Sequence, residues 1–180
     1  MTEEELKALK YPVGEFSFPD NVSEEDIGEW KDIIAGFPEM LEETLSTVTY
    51  TELGWKYRPD GWTVQQVVHH LADSHLNSII RFKLALTEEE PTIKPYFEAR
   101  WAELADANNP YIEFSMDILR GIHQRWTMIL DDIQDEQWAR TYIHPEHGRK
   151  LRLDQTLALY AWHCNHHLAH INQALDKGGY

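Results

Sequence analysis

The chain has 180 residues, 42% of them hydrophobic and 26% charged, which suits one domain with a real core and argues against disorder. Sixteen basic and 31 acidic residues leave a net charge of −15, a balance that repels nucleic-acid phosphate, so no nucleic-acid partner is expected. A lone cysteine, Cys164, excludes an internal disulfide, and no apolar run approaches the roughly 20 residues of a membrane span. The start MTEEELKALK lacks the apolar stretch of a signal peptide, and a cytoplasmic setting without membrane contact is the expectation.

Residues 1–22 are rich in Pro, Gly and aromatic side chains (Tyr11, Pro12, Gly14, Phe16, Phe18, Pro19) and read as an irregular arm whose aromatics dock on the body of a single domain spanning 1–180. Ser23 followed by Glu24, Glu25 and Asp26 predicts a helix start. Ile27, Trp30, Ile33, Ile34, Phe37, Leu41, Leu45 and Val48 then follow helical spacing, while Gly36 and Pro38 predict a kink or a break midway. Residues 50–62 read as a loop with aromatic anchors. Thr63 and Gln66 form a capping-box pair that opens a helix over about 63–86, with Val64, Val67, Val68, Leu71, His75, Ile79, Phe82 and Leu86 on one face.

Residues 87–110 read as a long crossover with a short helix near 96–104. A third long helix is expected over roughly 111–133, with Phe114, Ile118, Leu119, Ile122, Trp126 and Leu130 inward. In the connection 134–152, His144-Pro145-Glu146-His147-Gly148 could turn a small hairpin. The fourth helix, about 153–177, carries an apolar seam of Leu157, Ala161, Cys164, Leu168, Ile171 and Leu175, and Gly178-Gly179 stops it. Four long helices joined by long connections predict an all-α four-helix bundle, and such connections permit parallel neighbours.

The ten histidines carry most of the functional information. His163, His166, His167 and His170 share one sector of the last helix, at about 100° per residue. Two histidines at i and i+4 form a common half-site, whose nitrogens reach one ion about 2.0–2.1 Å away. His163/His167 and His166/His170 both have that spacing, and spacing alone does not choose between them. The second helix offers His69, His70 and His75, with Asp73 as a candidate orienting group. The plainer reading is a core histidine network with its hydrogen bonds satisfied. No HExxH and no paired Glu-x-x-His motif is present.

Gly61-Trp62-Thr63-Val64-x-Gln66-Val67-Val68-His69-His70-Leu71-Ala72-Asp73-Ser74-His75 resembles the YfiT branch of the DinB superfamily. So do Arg81-Phe82-Lys83-Leu84-Ala85-Leu86-Thr87, Pro91-x-Ile93-Lys94-Pro95-Tyr96, Tyr142-x-His144-Pro145 and the stretch from Ala158 to Ile171. The resemblance implies an up-down-down-up four-helix bundle, a homodimer, and one divalent ion per subunit, Zn2+ or Ni2+, held by His70, His163 and His167. It implies a metal-dependent hydrolase acting on a small-molecule substrate, or a bacillithiol S-transferase that joins a thiol to electrophiles.

A three-histidine site keeps a coordination position open, and zinc so held can activate water or hold a thiol as thiolate. The nucleophile would be that water or thiolate, and no protein side chain is assigned the role. His75, His170 and Tyr160 are candidates for groups around the site, each with a plain core reading beside it. Arg81, Lys83, Lys94, Arg100 and Arg149 are candidates for holding an acidic thiol, or are simple surface charges. Trp162 reads as packing, and Cys164 is given no catalytic part. A non-catalytic metal-binding stress protein and a purely structural bundle are the competing readings.

Overall fold

The computed structural model describes residues 1–146 and 148–180. Its elements are α1 (Glu3–Lys10), α2 (Glu24–Leu45), α3 (Tyr50–Leu53), α4 (Val64–Thr87), α5 (Glu98–Trp101), α6 (Glu113–Asp132), a 3-10 turn (Asp135–Ala139), β1 (Thr141–His144), β2 (Arg149–Arg152) and α7 (Leu153–Lys177). Ser23 caps α2 and Thr63 caps α4, each by a reciprocal pair with the residue three positions on. Gly178 ends α7 in the left-handed conformation at φ 73°. That backbone geometry favours glycine because it has no Cβ to clash with the chain.

The long helices α2, α4, α6 and α7 form the bundle, and their side-chain pairs give its topology. Lys31 pairs with Asp131 and Glu42 with Arg120, so α2 and α6 run antiparallel. His69 bonds Ser115 while Phe82 packs on Trp126, so α4 and α6 run parallel. Ser74 meets Tyr160 while His70 lies beside His167, so α4 and α7 run antiparallel. The order is therefore up-down-down-up, with α2 parallel to α7. The only sheet among the described residues is the antiparallel hairpin β1–β2, with Tyr142 opposite Leu151. The hairpin expected at 144–148 is present, and His147 lies outside the described residues. No helix among the described residues is long and apolar enough to cross a membrane.

Three expectations need correction. The arm is not irregular throughout: Thr2 and Glu5 make a capping box that starts α1, a signal masked by the Pro- and Gly-rich residues after it. The arm does dock through aromatics, with Phe16 against Trp162 and the Trp162 Nε1–H donating to the Gly14 carbonyl at 3.1 Å.

Of the kink or break expected midway in α2, the break is absent, and the helix runs on through Pro38. Proline has no N–H to offer the carbonyl four residues back, which is that of Ile34. His123 replaces the missing donor, its Nδ1 lying 2.6 Å from the Ile34 oxygen.

On α6, Phe114 is 73% and Ile118 45% exposed. Leu119, Ile122, Trp126 and Leu130 are buried as expected, and the buried face also takes in Ser115, Met116 and His123. It includes a histidine, so a hydropathy pattern places the inward face too far round. Truncating the buried Phe82 to Ala should cost about 3–5 kcal/mol, whereas Phe114→Ala should stay within about 0.5 kcal/mol. Urea unfolding of both variants measures the difference, and equal costs would contradict the assigned faces.

Candidate metal centre

The α4–α7 seam carries the cluster. Because the two helices are antiparallel neighbours, His70 comes to lie beside both His163 and His167, one turn apart on α7. His70 Nε2 is 3.2 Å from His163 Nε2. One nitrogen from each of the three rings lies within 4.8 Å of the others. For ligands about 2.0–2.1 Å from a tetrahedral ion, neighbouring nitrogens stand about 3.3 Å apart, so the donor set fits a divalent cation. His70 and His167 are buried and His163 is half-buried, with the Trp62 ring 4.8 Å from His70.

Burial also sets the charge state. It pulls the His70 imidazole down to about 4, with His166 nearby adding to the effect. His163 and His167 are pulled well below their ordinary value, again by burial first and by neighbouring rings second. Neutral rings offer lone pairs, which is what a cation needs.

Beside this group stands a second histidine set. His166, His167 and His170 also bring one nitrogen each within 4.8 Å of one another. His170, however, is engaged elsewhere: its Nε2 donates to the Lys10 carbonyl at 3.1 Å, and its ring stacks on Tyr57 at 3.8 Å. His166 stacks on Trp162 at 4.2 Å, which gives that tryptophan the packing part expected of it.

The other sequence candidates separate clearly. His69 turns away from the cluster, bonding Ser115 Oγ and the Asn109 carbonyl at 2.8 Å each. Asp73, expected as an orienting group, lines a different hollow with His69 and Asp106, so that expectation is corrected. It stands three residues from His70, and the bundle core selects the His70 side. Tyr160 donates its hydroxyl to the Ser74 carbonyl at 3.2 Å, so its core reading holds. Cys164 is buried and its thiol is pushed up by that burial, which makes it a poor nucleophile.

Of the five cations considered, Arg81 alone is buried. Its Nη1 lies 3.5 Å from the Tyr160 hydroxyl, and among the described residues no carboxylate pairs with it. Lys83, Lys94, Arg100 and Arg149 are exposed, and the last two lie over Phe97 and Phe18.

Sequence reasoning missed His123. It stands on the inward stripe of α6, and its Nε2 is 2.8 Å from His75 Nδ1. The signal available was its position in the 3,4,3,4 steps of Met116, Leu119, His123, Trp126 and Leu130.

Residues 34–171 match the DinB superfamily. The chain belongs to that superfamily. It is 47% identical over 168 residues to "Putative metal-dependent hydrolase OB0782" of Oceanobacillus iheyensis, covering 93% of this chain and 96% of the relative. It is 42% identical over 172 residues to "Putative metal-dependent hydrolase YfiT" of Bacillus subtilis, covering 96% and 97%. The solved structure of YfiT, described as a probable metal-dependent hydrolase with an unusual four-helix bundle topology, superposes with a TM-score of 0.91 at 41% identity, over 96% of this chain and 99% of that one. The chain thus shares the four-helix bundle of that structure.

The buried rings predict acid sensitivity. His70 and His123 are lowered to about 4 and His170 to about 3, each from an ordinary value of 6.5 and each chiefly by burial. Between about pH 6.5 and pH 4 the unfolded chain therefore binds more protons than the folded one, and stability falls as acid is added. The urea midpoint of the metal-free protein should drop through that window. The upper part of the window, above the carboxylate range, isolates the histidines. A flat midpoint there would mean that the rings are open to solvent.

Proposed function

We propose that this DinB member is a metal-dependent hydrolase that holds one zinc or nickel ion at His70, His163 and His167. The observation that carries this reading is the convergence of three neutral imidazole nitrogens from two helices, with no carboxylate among them. His166 and His170 are left out of the ligand set because His170 already donates to Lys10 and His166 stacks on Trp162.

When bound, such an ion supplies Lewis-acid chemistry, lowering the pKa of a reactant water into the neutral range. The chain's own part is to present lone pairs and to leave the cation's charge unneutralised by any acidic ligand. Its buried helices also keep bulk water from competing. His163 is the half-buried member of the set, and the Trp62 ring lies 4.8 Å from His70.

Arg81 favours a second reading, transfer of an acidic thiol such as bacillithiol to an electrophile. A buried guanidinium without a carboxylate partner suits a carboxylate brought by a ligand.

His167→Ala should weaken zinc or nickel binding by more than about 100-fold. It should also abolish turnover of whichever substrate the native protein accepts. Metal analysis of purified protein and titration of metal-free protein measure the first. Ester and amide panels, run beside bacillithiol with an electrophile, measure the second. Unchanged metal content in His167→Ala would overturn the assignment. Conjugation without hydrolysis would replace the first reading by the second.

A further inference from the structure

We infer that two relays of histidine hydrogen bonds, each starting from an unpaired helix carbonyl, fix the tautomers of His163 and His167 so that both present Nε2 to the metal. The inference rests on the proposed metal site and assigns positioning roles to His75, His123 and His170.

The first relay begins at Pro38. Its missing N–H leaves the Ile34 carbonyl without its helical donor, and a carbonyl can only accept. The His123 nitrogen 2.6 Å away, Nδ1, must therefore carry the hydrogen. A neutral imidazole has one N–H, so His123 Nε2 is an acceptor. It faces His75 Nδ1 at 2.8 Å, which must then be the donor. His75 Nε2 is in turn an acceptor, and it faces His163 Nδ1 at 3.2 Å. His163 thus carries its hydrogen on Nδ1, and its Nε2 lone pair points at His70 Nε2 across 3.2 Å. A single backbone oxygen sets four polar contacts in order, with no freedom left at any ring.

The second relay begins at the end of α1. The last carbonyls of a helix have no intrahelical donor. The Lys10 oxygen takes one from His170 Nε2 at 3.1 Å, and the Leu9 oxygen takes one from Gln173 Nε2 at 3.2 Å. His170 Nδ1 is then an acceptor. It faces His167 Nδ1 at 3.4 Å, which places the His167 hydrogen on Nδ1 and leaves its Nε2 free. The N-terminal arm therefore reaches the metal site through one ring.

Both relays are made of neutral groups. A ligand histidine backed by a carboxylate becomes more basic and damps the charge of its metal. Rings backed by neutral imidazoles do so less, and the cation stays the stronger Lewis acid. His123 and His170 touch no reacting atom, and they act by orienting the rings that do.

The test uses 15N-detected histidine ring spectra of the full-length, metal-free protein at a pH where the rings are neutral. His75, His123, His163 and His167 should each show the Nδ1–H tautomer, and His170 the Nε2–H tautomer. An Nε2–H signal from His163 or His167 would overturn the proposal, whatever the protein binds. In the same protein, His123→Phe and His170→Phe should each lower zinc affinity by about 10–100-fold, while His123→Gln and His170→Gln, which keep one donor and one acceptor, should restore most of it. Zinc affinity unchanged in both Phe variants would overturn the positioning role. Correct tautomers in a native protein that takes up no zinc would leave the relays standing and sink the metal reading instead.

Discussion

A neutral imidazole out of reach of water has one nitrogen that must donate and one that must accept, and it cannot choose freely once a neighbour has chosen. His70, His75, His123, His163, His166, His167 and His170 form a continuous set of ring contacts inside this bundle. An unmatched nitrogen there carries the desolvation cost of a polar group, about 1–3 kcal/mol. Backbone carbonyls meet this constraint at the far ends of the set, at His123 and His170, while His166 Nδ1 within it is buried with no hydrogen-bond partner among the described residues. Among the described residues no acid joins these histidine groups, which separates this centre from the carboxylate-rich bundles that hold paired iron ions.

Two features usually treated as defects supply the far ends. Pro38 removes a helical donor from the middle of α2, and the helix survives because a side chain from α6 takes its place. The last turn of α1 exposes carbonyls that an isolated helix would give to water, and here α7 uses them. The arm is thereby held against the bundle by hydrogen bonds as well as by the packing of Phe16 and Phe18. The parallel pairing of α4 with α6 matters equally, because it sets His75 beside His123 while the antiparallel α4–α7 pair sets it beside His163. An alternating up-down-up-down order would place α4 and α6 in opposite directions and would not bring these three rings into one line.

Much of this was legible in the chain. The caps at Ser23 and Thr63, the apolar seam of α7 and the glycine stop at Gly178 were local signals, and local signals survive folding because they concern residues three or four apart. The histidine spacing on α7 was likewise visible, as was the likeness to DinB proteins. Less visible were the arm's helix, whose capping box was outweighed by the prolines and glycine that follow, and the true inward face of α6. Phe114 and Ile118 are apolar but stand outside the core, while His123 stands inside it. Hydropathy cannot rank a histidine as a core residue, because its fitness for the interior depends on partners that other helices supply.

By itself, then, the sequence determined the class of the fold, the positions of its long helices and the kind of chemistry its histidines could support, since residue type and period are enough for those. Only the tertiary structure decided which nitrogens meet, that Asp73 faces away while His75 and His123 face in, and that Pro38 and the end of α1 are tied to the centre. Those matters turn on distances of about 3 Å between residues as many as 164 positions apart, and no pattern along the chain encodes a hydrogen bond whose direction is set by its neighbours in space.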